Sequence, residues 1–129
     1  MTPFGSWLHV AADFGNLELT KALVASGADV NQRGGTFGGT PINLAAYKGH
    51  REVIEFLVGC GAELDESEPE RNPLFSAIHG GHIEIVRLLL NAGMNHRISY
   101  TGESMENMDA LAFARERGQS DIAALLANT

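Results

Sequence analysis

The chain has 129 residues, 44% hydrophobic and 19% charged, with a formal net charge of −7 at pH 7. It has room for one domain with a substantial core, but no apolar run approaches the ~20 residues of a membrane span, and its single cysteine, Cys60, excludes an internal disulfide or a cysteine zinc cluster. The acidic balance argues against a nucleic-acid partner and fits a basic protein partner or plain solubility. The segment Met1–Trp7 lacks the basic and apolar regions of a signal peptide, so a cytoplasmic location is expected.

In chain order, Ser6 opens a short helix that ends at Gly15. Leu17–Val24 follows, with charged and apolar residues alternating at helical spacing. Gly27 closes that helix, and Ala28-Asp29-Val30-Asn31 reads as a polar turn around one apolar residue. A glycine-rich loop, Gln32–Gly39, carries Phe37. No Gly-Lys-Ser/Thr follows it, so a flexible turn is the expectation and a phosphate cradle is not.

Thr40–His50 repeats the first helix 34 residues after Ser6. Thr40 is placed to accept a first-turn N–H, Pro41 suits the first helical position, and Gly49 ends the helix in a left-handed conformation. Arg51–Val58 repeats the second helix. Then comes an acidic loop holding Glu63, Asp65, Glu66, Glu68 and Glu70, which reads either as a solvated face or as an electrostatic patch for a basic partner. The pattern returns as Asn72–Gly81 with Ile83–Leu90. It returns once more as Asp109–Gly118 with Ser120–Ala127, after a longer loop, Asn95–Met108, that carries Tyr100, Met105 and Met108. Those apolar side chains need cover from the fold or from a partner. Ser6, Thr40, Asn72 and Asp109 occupy one capping register, and four different residues sharing one physical property mark a structural repeat.

Chemistry finds little footing. His50 and His82 share one repeat position, which favours a hydrogen bond between loops over metal ligation. His79 and His82 are separated by Gly80-Gly81, and Cys60 has no histidine beside it in sequence and is expected to be a buried or semi-buried inert thiol. No nucleophile elbow, paired-carboxylate motif or metal motif is present, so no enzyme, cofactor or metal site is expected.

The period and the Thr-Pro-Ile-Asn-Leu-Ala-Ala core at residues 40–46 resemble the ankyrin repeat, whose unit is about 33 residues. The resemblance covers nearly the whole chain. It implies an all-α solenoid of four stacked helix-turn-helix units with projecting β-turn fingers, in a single domain over 1–129 with units at about 4–33, 34–66, 67–102 and 103–129. The first and last units would act as caps, with Trp7 covering the open end of the first helix and Arg115, Glu116, Arg117, Gln119 and Asp121 tolerating water. His9 holds the motif's histidine, which Asn43, Phe75 and Ala112 replace elsewhere.

The family resemblance also implies a non-catalytic protein-binding module, a monomer when free, with no nucleic-acid or membrane partner. By register its binding positions would be Asp13, Phe14, Tyr47, Lys48, His79, Glu116 and Arg117 on the first helices. Phe37, Glu66, Glu68, Glu70, Arg71, Tyr100, Met105 and Met108 would serve from the fingers. Phe14, Tyr47 and Tyr100 are the aromatic anchors expected to matter most. The segments 67–75 and 100–103 further resemble small bacterial ankyrin proteins, some of which are immunity proteins that block a toxin. A general adaptor, a small-ligand binder or an enzyme-associated subunit are the alternatives.

Overall fold

The computed structural model describes residues 6–34, 39–102 and 105–129. Its helices come in pairs: α1 (Trp7–Phe14) with α2 (Leu17–Ala25), α3 (Pro41–Lys48) with α4 (Arg51–Gly59), α5 (Pro73–Gly80) with α6 (Ile83–Asn91), and α7 (Ala110–Glu116) with α8 (Ser120–Ala127). A single 3-10 turn, Pro69–Arg71, leads into α5, and an antiparallel hairpin of β1 (Tyr100–Gly102) and β2 (Met105–Met108) precedes α7.

Helices of seven to nine residues are too short to hold together alone. Each is stabilised by its neighbours. The inner row stacks α1 on α3, α3 on α5 and α5 on α7, while α2 packs on α4 and α6 on α8 in the outer row. The small side chains of Ala45, Ala46 and Ala77 are fully buried and let backbones approach, and Ile42, Ile54, Leu57, Leu74, Ile78 and Leu89 fill the space between the units. No helix among the described residues is long and apolar enough to cross a membrane.

The caps follow the register. Ser6 Oγ accepts the backbone N–H of His9 and Nδ1 of His9 accepts the N–H of Ser6, a reciprocal pair. Asn72 Oδ1 accepts from Leu74 and Phe75, and Asp109 Oδ1 from Ala112. Thr40 and Asn43 form the same reciprocal box as Ser6 and His9, in which Asn43 Oδ1 accepts the Thr40 N–H and takes a further hydrogen bond from the Thr40 hydroxyl.

Two ladders of hydrogen bonds tie successive units. In the first, the third helical position reaches forward: His9 Nε2 lies 2.9 Å from the Gly39 carbonyl and Asn43 Nδ2 donates to the Arg71 carbonyl at 2.6 Å. In the second, the residue before each outer helix reaches back. His50 Nε2 bonds the Asp13 carbonyl and His82 Nε2 the Tyr47 carbonyl, both at 2.9 Å, and Gln119 Nε2 takes the equivalent place at 3.4 Å from the Ile78 carbonyl. Gly49 serves this seam twice: its φ of 81° suits glycine, and a Cβ there would lie 2.7 Å from the His82 ring.

The fingers are cross-linked as well. Asn31 Oδ1 accepts the Glu63 N–H, Glu66 Oε2 accepts the Asn95 N–H, and Arg33 pairs with Asp65 at 2.6 Å. Asp65 is buried at 7% exposure; burial pushes its carboxyl up, but the two hydrogen bonds from Ser67 and the Arg33 charge outweigh that and leave it below its ordinary range. A carboxyl depressed by folding contributes stability that is present above its unfolded value and lost as pH falls through the folded one. Asp65→Asn should therefore flatten the loss of melting temperature between about pH 5 and pH 3, and at neutral pH should cost about 1–3 kcal/mol. Parallel acid slopes in the two proteins would refute this role.

Two exposures depart from the sequence reading. Trp7 stands 65% exposed instead of closing the first helix, because Leu8, Ala11 and Ala12 form the side of α1 that meets its neighbours. Cys60 is exposed, not buried, because it caps α4 on the side away from the core.

Candidate functional site: the concave groove

The inner helices and the fingers enclose a groove of about 1540 Å³. Its floor comes from one repeat position, Val10, Leu44, Ser76 and Phe113, and from the next turn of the same helices, Asp13, Tyr47, His79 and Glu116. Residues three apart on a helix share a face, so both rows look into the same space. The opposite wall is built by Glu68, Pro69 and Glu70 of the second finger and by Tyr100, Met105 and Met108 of the third.

Aromatic side chains run across the floor in contact. The Tyr47 ring lies 5.2 Å from His79, His79 lies 6.4 Å from Phe113 and nearly parallel to it, Phe113 stacks on Phe75 at 5.0 Å, and Tyr100 meets Phe75 edge-on at 5.1 Å. The Arg117 guanidinium sits 5.8 Å from the Phe113 centroid. Burial, helped by the Arg117 charge, holds His79 below its ordinary value, so the ring is neutral near pH 7 and joins the row as an aromatic.

The predicted binding positions divide by environment. Asp13, Phe14, Tyr47, His79, Glu116 and Arg117 line the groove, with Phe14 75% and Tyr47 43% exposed. Lys48 stands beside the floor, its ammonium 3.8 Å from Asp13. Glu68 and Glu70 line the finger wall, where Arg71 lies 3.7 Å from Glu68 while its own carbonyl is tied to Asn43. Met105 and Met108 are half-buried on the hairpin. Phe37 lies outside the described residues.

Tyr100 is a structural member of the wall, and Glu66, outside the groove lining, holds it in place. The Tyr100 hydroxyl accepts from Asn72 and donates to the Glu66 carbonyl at 2.7 Å, while the Glu66 carboxylate is held by Asn95. Burial pushes the Tyr100 phenol up, and the nearby carboxylates of Glu66, Asp65 and Glu70 push the same way. The acidic stretch is thus not one solvated patch: Asp65 and Glu66 are tied into the fold, and Glu68 and Glu70 face the groove. Val10, Leu44 and Phe113 were not among the predicted positions. Their signal was the helical spacing, one turn before residues that were.

The chemistry this arrangement supports is recognition. It offers an apolar, aromatic floor between charged rims, and among the described residues no group of His, Cys, Asp or Glu is arranged to hold a metal.

Comparison with known proteins agrees with the architecture. A family model described as ankyrin repeats (three copies) matches residues 8–100 and 44–129. Protein phosphatase 1 regulatory subunit 27 of Mus musculus is 33% identical over 88 residues, 68% of this chain and 56% of the relative. A transient receptor potential cation channel subfamily A member 1 homolog of Caenorhabditis elegans is 30% identical over 118 residues, 92% of this chain and 9% of the channel. The probable E3 ubiquitin-protein ligase XBOS32 of Oryza sativa subsp. japonica is 32% identical over 120 residues, 90% of this chain and 23% of the ligase. The chain thus spans about half the length of the first relative and far less of the others. These relatives are eukaryotic, and the narrower likeness to bacterial toxin-immunity proteins has no counterpart in them.

Proposed function

The chain belongs to the ankyrin-repeat family, and on that premise we propose that it is a non-catalytic regulator that binds another protein through its concave groove and acts by covering it. The observation that carries this reading is the pair of exposed aromatics, Phe14 and Tyr47, standing over a groove floor that is otherwise packed. Aromatic side chains that a partner covers on binding often dominate the binding energy. The likeness to a phosphatase regulatory subunit supports a regulatory role for this architecture. In its narrower form the reading is an inhibitor, of immunity type or otherwise, of a basic partner, for which the net charge of −7 is the support.

The test is capture of a partner by photo-crosslinking from a probe at Phe14, followed by affinity measurement with variants. Phe14→Ala and Tyr47→Ala should each weaken binding by about 2 kcal/mol or more, roughly thirtyfold; the melting temperature should be unchanged for Phe14, which is 75% exposed, and slightly lowered for Tyr47, whose ring rests on His79. Full affinity in both variants would place the interface elsewhere. An adaptor is the second reading, favoured by the small share that this region forms of the channel and the ligase. It requires two partners bound at once, whereas an inhibitor requires one partner whose activity is lost.

A further inference from the structure

We propose that the groove takes a short linear segment of its partner, one in which Lys or Arg alternates with bulky apolar side chains. This rests on the protein-binding reading above and narrows it.

Size is the first argument. A groove of about 1540 Å³ exceeds the ~300–1,000 Å³ of pockets that enclose small ligands. Depth is the second. Val10 and Leu44 are half-buried on the floor, with helices on one side and fingers on the other. A ligand satisfies them only by sending side chains down between the walls, which a chain segment does and a broad flat surface does not.

Charge is the third. Among the described lining residues four carboxylates, Asp13, Glu68, Glu70 and Glu116, stand against one guanidinium, Arg117. Lys48 offsets Asp13 at 3.8 Å and Arg71 lies 3.7 Å from Glu68, which leaves Glu70 on the finger wall and Glu116 on the floor as the lining carboxylates in no ion pair among the described residues. The Glu70 carboxylate lies near enough to Tyr100 to help push its phenol up. An extended chain sends successive side chains to opposite faces. Apolar residues can then enter the floor while the cations between them stay near the rim, close to Glu68 and Glu70.

Selection of random dodecapeptides on the immobilised full chain, followed by fluorescence anisotropy of the winners, tests this. The enriched peptides should alternate basic and apolar residues. The Glu68→Lys, Glu70→Lys double variant should bind them about tenfold more weakly, chiefly through slower association, with the melting curve little changed because the Glu68–Arg71 pair it removes is solvent-exposed. Replacing the apolar residues of a winner by Ser should abolish binding. The inference is overturned if winners are acidic or uncharged, if charge reversal leaves association unaltered, or if no peptide is enriched. If crosslinking from Phe14 captures a protein partner that no selected peptide displaces, the linear segment is refuted while the protein-binding reading stands. If Phe14 captures nothing but peptides of the stated pattern bind and respond to charge reversal, the segment is supported.

Discussion

Leu89→Ala is expected to destabilise the chain by about 2–5 kcal/mol in urea unfolding. Leu89 is 0% exposed on α6, within a unit whose helices touch the units on both sides. The surroundings are pinned by two ladders of hydrogen bonds and cannot collapse into the space left behind. Leu126 is almost as well buried, at 2% exposure on α8, yet among the described residues no further helix pair lies beyond it. Its neighbours can relax outward, so Leu126→Ala should cost clearly less. Equal costs would contradict a linear stack, in which stability is a sum over units and their seams.

Gly80→Ala should destabilise by about 1–3 kcal/mol, although helix propensity alone favours alanine by about 1 kcal/mol. Gly80 ends α5, and a Cβ there would run into the Tyr47 carbonyl oxygen and approach His82 Cδ2 at 2.7 Å. Those are the two partners of one seam hydrogen bond, so the substitution must push the second and third units apart. Gly59 supplies the control. It ends α4, and a Cβ there would meet nothing within 4 Å, so Gly59→Ala should be neutral or stabilising. Thermal melts of the two variants should move in opposite directions; a shared sign would mean that the seam does not depend on close approach at Gly80.

The repeat architecture was legible because its determinants are local. A cap, a left-handed glycine and an apolar stripe are each fixed by neighbours a few residues away, and their recurrence in Ser6, Thr40, Asn72 and Asp109 gave the register. The loop-bridging role of His50 and His82 was legible for the same reason, as one residue type at one repeat position. What escaped was set by contacts between segments some 30 residues apart. Tyr100 could have been covered by the fold or by a partner, and its hydroxyl between Asn72 and Glu66 decides for the fold. Asp65 looked like one carboxylate in a run until Arg33, from the preceding finger, was found on it. Trp7 and Cys60 were misplaced because residue type suggests burial, whereas the side of the helix decides it. The groove was half legible: register located Tyr47 and His79, but Phe113 differs in size from Val10, Leu44 and Ser76 at its own position and so hid a shared orientation.

The backward-reaching seam grips only main-chain oxygens, those of Asp13 and Tyr47 among them, while the side chains of the same two residues point into the groove. Joinery and grip are thus carried by different atoms of one residue. At these two positions the letter offered to a visitor can change while the bond that joins the frame is kept.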